Sequence, residues 1–407
     1  MKEILGGATV AVLGGAGGMG RFAVSVASTY AEIGEVVVAD RDGAGAERIA
    51  AEASKTAKTR LRASRVDVSD PVELREFLRG VDVVLNTTGP FYRLGVSVLR
   101  ESIAAGCHYL DICDDWEPTI EMLSLHPDAV SRGVLAVIGL GASPGASNLL
   151  ARVACEGLER VEDLYTAWPV DGAVEEVSVE ESFDPNGPIP AALIHWMQQL
   201  SGAIETIEEG ERVVRPPLEP VEISYPGLGS GTGYTVGHPE PITLKDRMKV
   251  RGASANLMLL KPSTAAFLDV LRNDLDAGRV TLEKAAAQVM KPGWIRQAKA
   301  WMRSSGFAGS GPLPPFFAWA RGEREGQPVI VAAHLQALPR GMDAFTAVPL
   351  SLGLRQLLEG RLDTPGVHPP ESVIETKPFF DGLAAACDPP VRGMEELVAR
   401  VENVQAG

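Results

Sequence analysis

A glycine-rich turn and a single carboxylate carry the clearest chemistry in this chain of 407 residues. Thr9 to Gly20 reads TVAVLGGAGGMG, an apolar run that breaks into Gly15-Ala16-Gly17-Gly18-Met19-Gly20. The spacing G-x-G-x-x-G between a strand and a helix is that of a dinucleotide-binding turn. Gly15 permits the tight turn, Gly17 lets backbone approach a pyrophosphate, and Gly20 lets helix and strand pack closely. Gly18 and Met19 fall in the first helical turn, where amide N–H groups and the helix dipole favour phosphate. Asp40 closes the next apolar run, where an acid hydrogen-bonds the adenosine ribose hydroxyls. Its charge opposes a 2′-phosphate and favours NAD, while Arg41 beside it keeps NADP open.

Further candidates sit at the ends of other apolar runs. Asp67-Val68 can accept a hydrogen bond from the adenine amino group and lie beneath its ring, or Asp67 can cap the next helix, although Ser69 or Asp70 before Pro71 suits that better. Asn86-Thr87-Thr88-Gly89-Pro90 stops a run sharply and places an amide and two hydroxyls at the ligand edge; these types are also common in plain turns. Cys107 to Trp116 reads CHYLDICDDW. Alternation puts Tyr109, Asp111 and Cys113 on one face, with Asp114 and Asp115 at its carboxyl end. Such a set binds a substrate ammonium or relays a proton, and Tyr109, Asp111 and Asp114 are the candidates for catalysis. Equally, Asp115 can cap a helix, and Cys113 and His108 can be core. Gly141, in Gly139–Asn148, lines a second backbone wall or marks a hinge. Later, Gly237-His238-Pro239-Glu240-Pro241 pins His238, a ready proton carrier near neutral pH, in a rigid loop.

The elements that must hold these residues alternate. Strands are expected at Thr9–Gly14, Glu35–Asp40, Leu61–Val68, Val81–Thr87, His108–Cys113 and Val134–Gly139. Amphipathic helices lie between them, among others Arg21–Ile33, Pro71–Leu78 and Val96–Ala105. This pattern predicts an α/β fold, a Rossmann-type doubly wound parallel sheet with ligands at its carboxyl edge. Beyond Pro144-Gly145 the texture changes. Ala173–Ser182 and Glu211–Tyr225 read as antiparallel strands, Ser263–Met302 as helical, and Pro328–Leu338 as a strand after a polar turn at Gly322–Gly326. Ala347–Leu358, Phe379–Ala386 and Met394–Val404 read as helices. The expected division is a dinucleotide domain over 1–147, with helices of 345–407 packing back on it. A second α/β (α+β) domain for substrate binding and dimerisation covers 148–344.

Composition bounds the partners. Hydrophobic residues make up 45% and charged residues 22%, as in a globular protein. The net charge of −15 argues against nucleic acid and against an anionic membrane. The four cysteines form no C-x-x-C pair, and with the histidines no zinc signature, so no metal is expected. Reduced thiols and the lack of a signal pattern point to the cytoplasm.

Taken in order, GGAGGMG, Val66–Asp70, Val83–Pro90, Ala105–Asp111, Pro144–Leu150, Thr346–Leu350 and Gly366–Glu371 resemble the saccharopine dehydrogenase-like oxidoreductase family. The resemblance implies a nucleotide domain plus a substrate domain, often in a homodimer, and hydride exchange with a nicotinamide cofactor. The bond is the C–N of a secondary amine or amino acid, or the corresponding imine in reverse. It places the glycine turn, Asp40, Asp67-Val68 and Asn86–Pro90 at cofactor positions. The arginine pair that a dicarboxylate such as saccharopine needs is not placed, with Arg93, Arg215, Arg247 and Arg251 as candidates, and the Gly237–Pro241 loop suggests a related but distinct substrate. Two alternatives stay open. One is a C=C or C=O reductase for a lipid or polyketide-like substrate, its pocket drawn from Trp196, Met197, Trp294, Trp301, Phe316, Phe317 and Trp319. The other is a non-catalytic dinucleotide-binding regulator.

Overall fold

The computed structural model describes residues 6–170, 189 and 191–404. Ala173–Ser182, expected as a strand, lies outside them. The chain divides into two units. One is Met1–Ala146 with Ala337–Pro339 and Asp343–Met394; the other is Ser147–Gln336 with Arg340–Met342 and Glu395–Gly407.

The first unit holds β1 (Ala8–Leu13), β2 (Ile33–Asp40), β3 (Arg60–Arg65), β4 (Val83–Asn86), β5 (His108–Asp111), β6 (Leu135–Val137) and β15 (Gly366–His368). Their order is β15-β6-β5-β4-β1-β2-β3, and every pairing is parallel. The strands β4, β5 and β6 are buried at every position, which is why they read as unbroken apolar runs. On the edge, β3 carries Arg60, Arg62 and Arg65 and is mostly open. The chain leaves that edge and re-enters beside β1, so strand order reverses between β1 and β4, the crevice where such sheets bind ligands. The expected helix Arg21–Ile33 runs instead over Gly18–Ala27, and the chain turns at Ser28–Tyr30 to feed β2.

The second unit is built on a mixed sheet. Its strands are β7 (Arg160–Pro169), β8 (Ile204–Glu208), β9 (Glu211–Arg215), β10 (Pro220–Tyr225), β11 (Gly229–Val236), β12 (Ser254–Leu259), β13 (Phe317–Arg324), β14 (Gln327–Leu335) and β16 (Val398–Val404). The main order is β10-β11-β12-β7-β13-β14-β16, with β8 joining β12 and β9. Among the described residues of this unit only β12 and β7 run parallel; the other pairings are antiparallel. The central β12 is buried on both faces. Met258 enters a cluster with Leu193, Met197, Leu268 and Leu271, whereas Leu257 and Leu259 enter another with Ile223 and Phe317.

Two expectations are corrected here. Gly322 does not open a turn. It lies inside β13 at a register shift, where a Cβ would stand 2.0 Å from the Arg160 carbonyl oxygen. The turn is Glu325-Gly326, both at positive φ, as a two-residue hairpin requires. Met394–Val404 is not one helix: after Gly393–Leu397 the chain pairs with β14 as β16, within the second unit's sheet. Val398, Val401 and Val404 recur every three residues, which reads as helical; their β-branched side chains still suit a strand, and the pairing with β14 decides it.

Candidate functional site

The turn after β1 is built from backbone alone. Gly14 has φ of 77° and, with Gly15, donates its amide to the Ala39 carbonyl. Gly17 donates to the Gly14 carbonyl oxygen and caps the helix Gly18–Ala27 without any side chain. At Gly20 a Cβ would lie 2.0 Å from that same oxygen, so helix and turn can approach only here without a side chain. At Gly17 the nearest atom to a Cβ would be 3.3 Å away, and Gly17 and Gly18 are exposed. Gly17 is open at the helix start and fits a diphosphate, whereas at Gly18 the Asp343 carboxylate lies 2.7 Å from where a Cβ would stand. Gly14, with the strained φ, is the member of the turn that the motif spacing did not single out.

Asp40 braces this turn. Its Oδ2 accepts from the Ala16 amide at 3.1 Å and its Oδ1 from the Asp42 amide at 3.0 Å. Arg41 follows it, and Arg65 is its registered partner on β3; both arginines are exposed. Asp67 accepts from the Ser69 amide and hydroxyl at 3.0 and 2.6 Å, and these bonds lower its pKa, helped by Arg65 and Arg41. Asp70, not Asp67, caps the helix Pro71–Phe77. Val68 is buried beside them.

At the end of β4, Asn86 is fully buried. Its Nδ2 donates to Tyr109 Oη at 2.9 Å, and its Oδ1 accepts from the Thr88 amide. Thr87 Oγ1 donates to the Leu13 carbonyl, tying the turn to β1. What this turn leaves toward solvent is Thr88, Gly89 and Pro90, with open space at Gly89.

Tyr109 and Asp111, expected to bind a substrate ammonium or relay a proton, lie in the interior of the unit. Both are 0% exposed. Tyr109 Oη donates to Asp111 Oδ2 at 2.8 Å; Asp111 Oδ1 accepts from the Cys113 and Gly139 amides at 3.0 and 2.7 Å. The carboxylate thus joins the end of β5 to the loop after β6. Burial raises its pKa to about 6 against these bonds, and burial likewise drives Tyr109 and Cys113 well up. Asp115 Oδ2 accepts from the Tyr92 amide at 3.0 Å, so it caps the helix Phe91–Ala105, whose own N-cap is Pro90. Asp114 is half-buried. Gly141 is buried, its amide donating to the Pro144 carbonyl.

The second unit contains a buried polar cluster around Glu240, which is 0% exposed. Ser147 Oγ and Asn256 Nδ2 donate to its Oε1 at 2.9 and 2.8 Å. Its Oε2 faces His238 Nδ1 at 3.6 Å. His238 stacks on Trp168, with centroids 5.6 Å apart and planes 22° apart. Asn256 is the hub: its Oδ1 accepts from Trp168 Nε1 at 2.7 Å, and its Nδ2 also donates to Thr166 Oγ1 at 2.9 Å. One asparagine thereby fixes both the ring behind the imidazole and the carboxylate in front of it. Sequence reasoning found His238 but not Asn256, Ser147 or Trp168, which are joined only through folding. The aromatic pocket considered from sequence does not assemble. Met197, Phe316 and Phe317 are core, whereas Trp294 and Trp301 are exposed.

Comparison with known proteins fits this geometry. Residues 10–137 match the family model described as the saccharopine dehydrogenase NADP binding domain. The apo, histidine-tagged saccharopine dehydrogenase (L-Glu forming) from Saccharomyces cerevisiae covers 98% of this chain and 100% of its own, with TM-score 0.64 and 14% identity. A short chain dehydrogenase from Mycobacterium smegmatis covers 33% of this chain and 76% of its own, with TM-score 0.29 and 16% identity. The glycine turn and the matched domain indicate a nicotinamide dinucleotide as cofactor. Within the chain, residues 10–137 are similar to that NADP binding domain, and the fold over the whole length is similar to that of the yeast saccharopine dehydrogenase. The expectation of NAD over NADP gains no support, since the matched domain is described as NADP binding.

Proposed function

We propose that this chain is an oxidoreductase that transfers hydride at the C–N bond of an amine or amino acid, or reduces the corresponding imine. The observation that carries the reading is the pairing, in one chain, of an uncapped glycine turn for a dinucleotide with a buried carboxylate–imidazole pair in the second unit. When bound, the nicotinamide supplies or accepts the hydride. The chain's own residues do the rest. Gly17 and Gly18 bind the diphosphate, and Thr88 and Gly89 border the ribose. Asp40, Asn86, Tyr109 and Asp111 hold these turns in place. His238, steadied by Glu240 and Trp168, moves the proton that accompanies loss or gain of hydride at an amine. Asp114 binds the substrate ammonium.

NADP is the proposed cofactor. Both carboxylate oxygens of Asp40 accept amide N–H groups, which disperses its charge. Arg41 and Arg65 are exposed beside it and suit a 2′-phosphate. The test follows reduced-nicotinamide absorbance with each cofactor against a panel of amino acids, and of amines paired with keto acids. Turnover of one pair with NADPH supports the reading. Calorimetry without binding of either nucleotide, together with no turnover, refutes it; binding without turnover by any pair leaves the regulator.

A further inference from the structure

The helix Trp294–Arg303 turns an apolar stripe to solvent. Trp294 and Trp301 are 77% and 78% exposed, Ile295 is 54% and Met302 is 66%. Four of the eleven large hydrophobic side chains exposed among the described residues thus fall within ten consecutive positions. The spacing explains the stripe: Trp294 and Trp301 lie two turns apart, with Ile295 and Met302 beside them. The opposite face holds the helix to its unit. Ala300 is buried, Arg296 pairs with Asp274 at 2.8 Å and Arg303 with Asp269 at 3.0 Å.

Charge around the stripe runs against that of the chain. Along the sequence from Lys284 through Gly322 there are six basic residues and no acid, in a chain of net charge −15; Arg296, Arg303 and Arg321 pair with acids from elsewhere, which leaves Lys284, Lys291 and Lys299. Asp269 and Asp274, on the packed helix Pro262–Asp276, are each already held by two arginines, Arg272 with Arg303 and Arg279 with Arg296. Lys291 and Lys299 are exposed at the stripe's edge.

We propose that this helix docks the protein on an anionic lipid bilayer. It would lie in the plane of the interface, with Trp294, Ile295, Trp301 and Met302 among the headgroups and Lys291 and Lys299 against lipid phosphates. Tryptophan suits that boundary because its body is apolar and its N–H needs a wet partner. Lysine stems reach along apolar surface while their ammonium groups stay in water. An amphipathic helix with a basic flank is the form that interfacial anchors take. No helix among the described residues is long and apolar enough to cross a membrane, so the attachment is to the surface. A second copy of the chain fits less well, since a two-fold contact over this stripe sets its lysines against their own counterparts. The acidity that argued against a membrane is an average over the whole chain, while surface attraction acts within a Debye length of about 8 Å.

The test uses the full chain with phosphatidylcholine vesicles, with and without phosphatidylglycerol. Co-sedimentation with the anionic vesicles, a blue shift of tryptophan emission and weakening by salt are expected. The double variant Trp294→Ser/Trp301→Ser should lose about tenfold or more in partition, because each ring leaves the interface. Its circular dichroism and Tm should not change, since both side chains are exposed. Lys291→Glu/Lys299→Glu should lose only the preference for phosphatidylglycerol. Equal partition of the tryptophan variant and the unmodified chain, or no sedimentation with either vesicle, overturns the proposal. So does sedimentation velocity in which the tryptophan variant dissociates a dimer while vesicle binding stays absent, which would assign the stripe to a copy of the chain.

Discussion

Gly17 and Gly20 sit three residues apart in one turn, yet a methyl group added at each should do opposite things. Gly17 has φ −76° and ψ 172°, extended backbone that any residue adopts. A Cβ there would meet only the Gly14 carbonyl oxygen, at 3.3 Å. Gly17→Ala should therefore fold normally, with a stability change under about 1 kcal/mol for the poorer cap. The methyl would instead stand on the exposed side where backbone must approach the diphosphate. Losing one amide–phosphate hydrogen bond, worth about 2 kcal/mol, weakens nucleotide binding about 30-fold.

At Gly20 the Cβ would lie 2.0 Å from the Gly14 oxygen, 2.8 Å from its carbon and 2.9 Å from Gly15 Cα. All three are backbone atoms that cannot swing aside. Gly20→Ala must push the helix off the sheet, at about 3 kcal/mol or more, or roughly 6 to 12 °C in the Tm of a unit of this size. The assay is calorimetric NADPH binding beside thermal unfolding, on both variants. Should Gly17→Ala bind NADPH within about twofold of the unmodified chain at an unchanged Tm, the diphosphate does not cross Gly17 and the site must be redrawn.

Three further outcomes follow from the same geometry. Asp111, raised by burial from 3.8 to about 6, binds its proton more tightly folded than unfolded. Its share of stability is full below pH 3.8 and lost as pH rises through 6. Unfolding free energies of the unmodified chain minus those of Asp111→Asn should therefore gain about 2.5 kcal/mol between pH 7.5 and 4, and a flat difference refutes the assignment. Arg41→Ala/Arg65→Ala should weaken NADPH about tenfold or more in calorimetry with NADH unchanged; equal losses for both would mean that neither arginine meets a 2′-phosphate. Glu240→Gln keeps the size and removes the charge facing His238, so kcat should fall about tenfold or more with KM little moved. Activity within twofold would remove the pair from the mechanism.

What the sequence disclosed, and what it hid, divides along chain distance. The glycine turn, Asp40 and the strand ends were legible because each is a local event. A turn needs its glycines where the backbone bends, and a parallel sheet buried on both faces writes its strands as apolar runs. Errors arose where a local signal had a non-local cause. Gly322 looked like turn punctuation, but its missing side chain makes room for the Arg160 carbonyl on a strand some 160 positions earlier. Met394–Val404 had helical composition at its start, and only the free edge of β14 draws its second half into a strand.

The same distinction decides the roles of the acids. Asp111 stood in the richest constellation of the sequence, at a strand end beside a tyrosine and a thiol, and a reactive role was the natural reading. Folding brings the Gly139 amide, 28 residues on, to 2.7 Å from one of its oxygens and closes it from solvent. Glu240 had weaker local credentials, being one acid between two prolines. Folding surrounds it with Ser147, 93 residues before it, and with Asn256, which also fixes Trp168. A residue's chemistry is set by what its second neighbour shell leaves free. Two amides hold one Asp111 oxygen and the Tyr109 hydroxyl holds the other, whereas Ser147 and Asn256 converge on one Glu240 oxygen and the second faces an imidazole. That asymmetry, more than position in any motif, is what supports our proposal that His238 and Glu240 move the proton while Asp111 supports the turns.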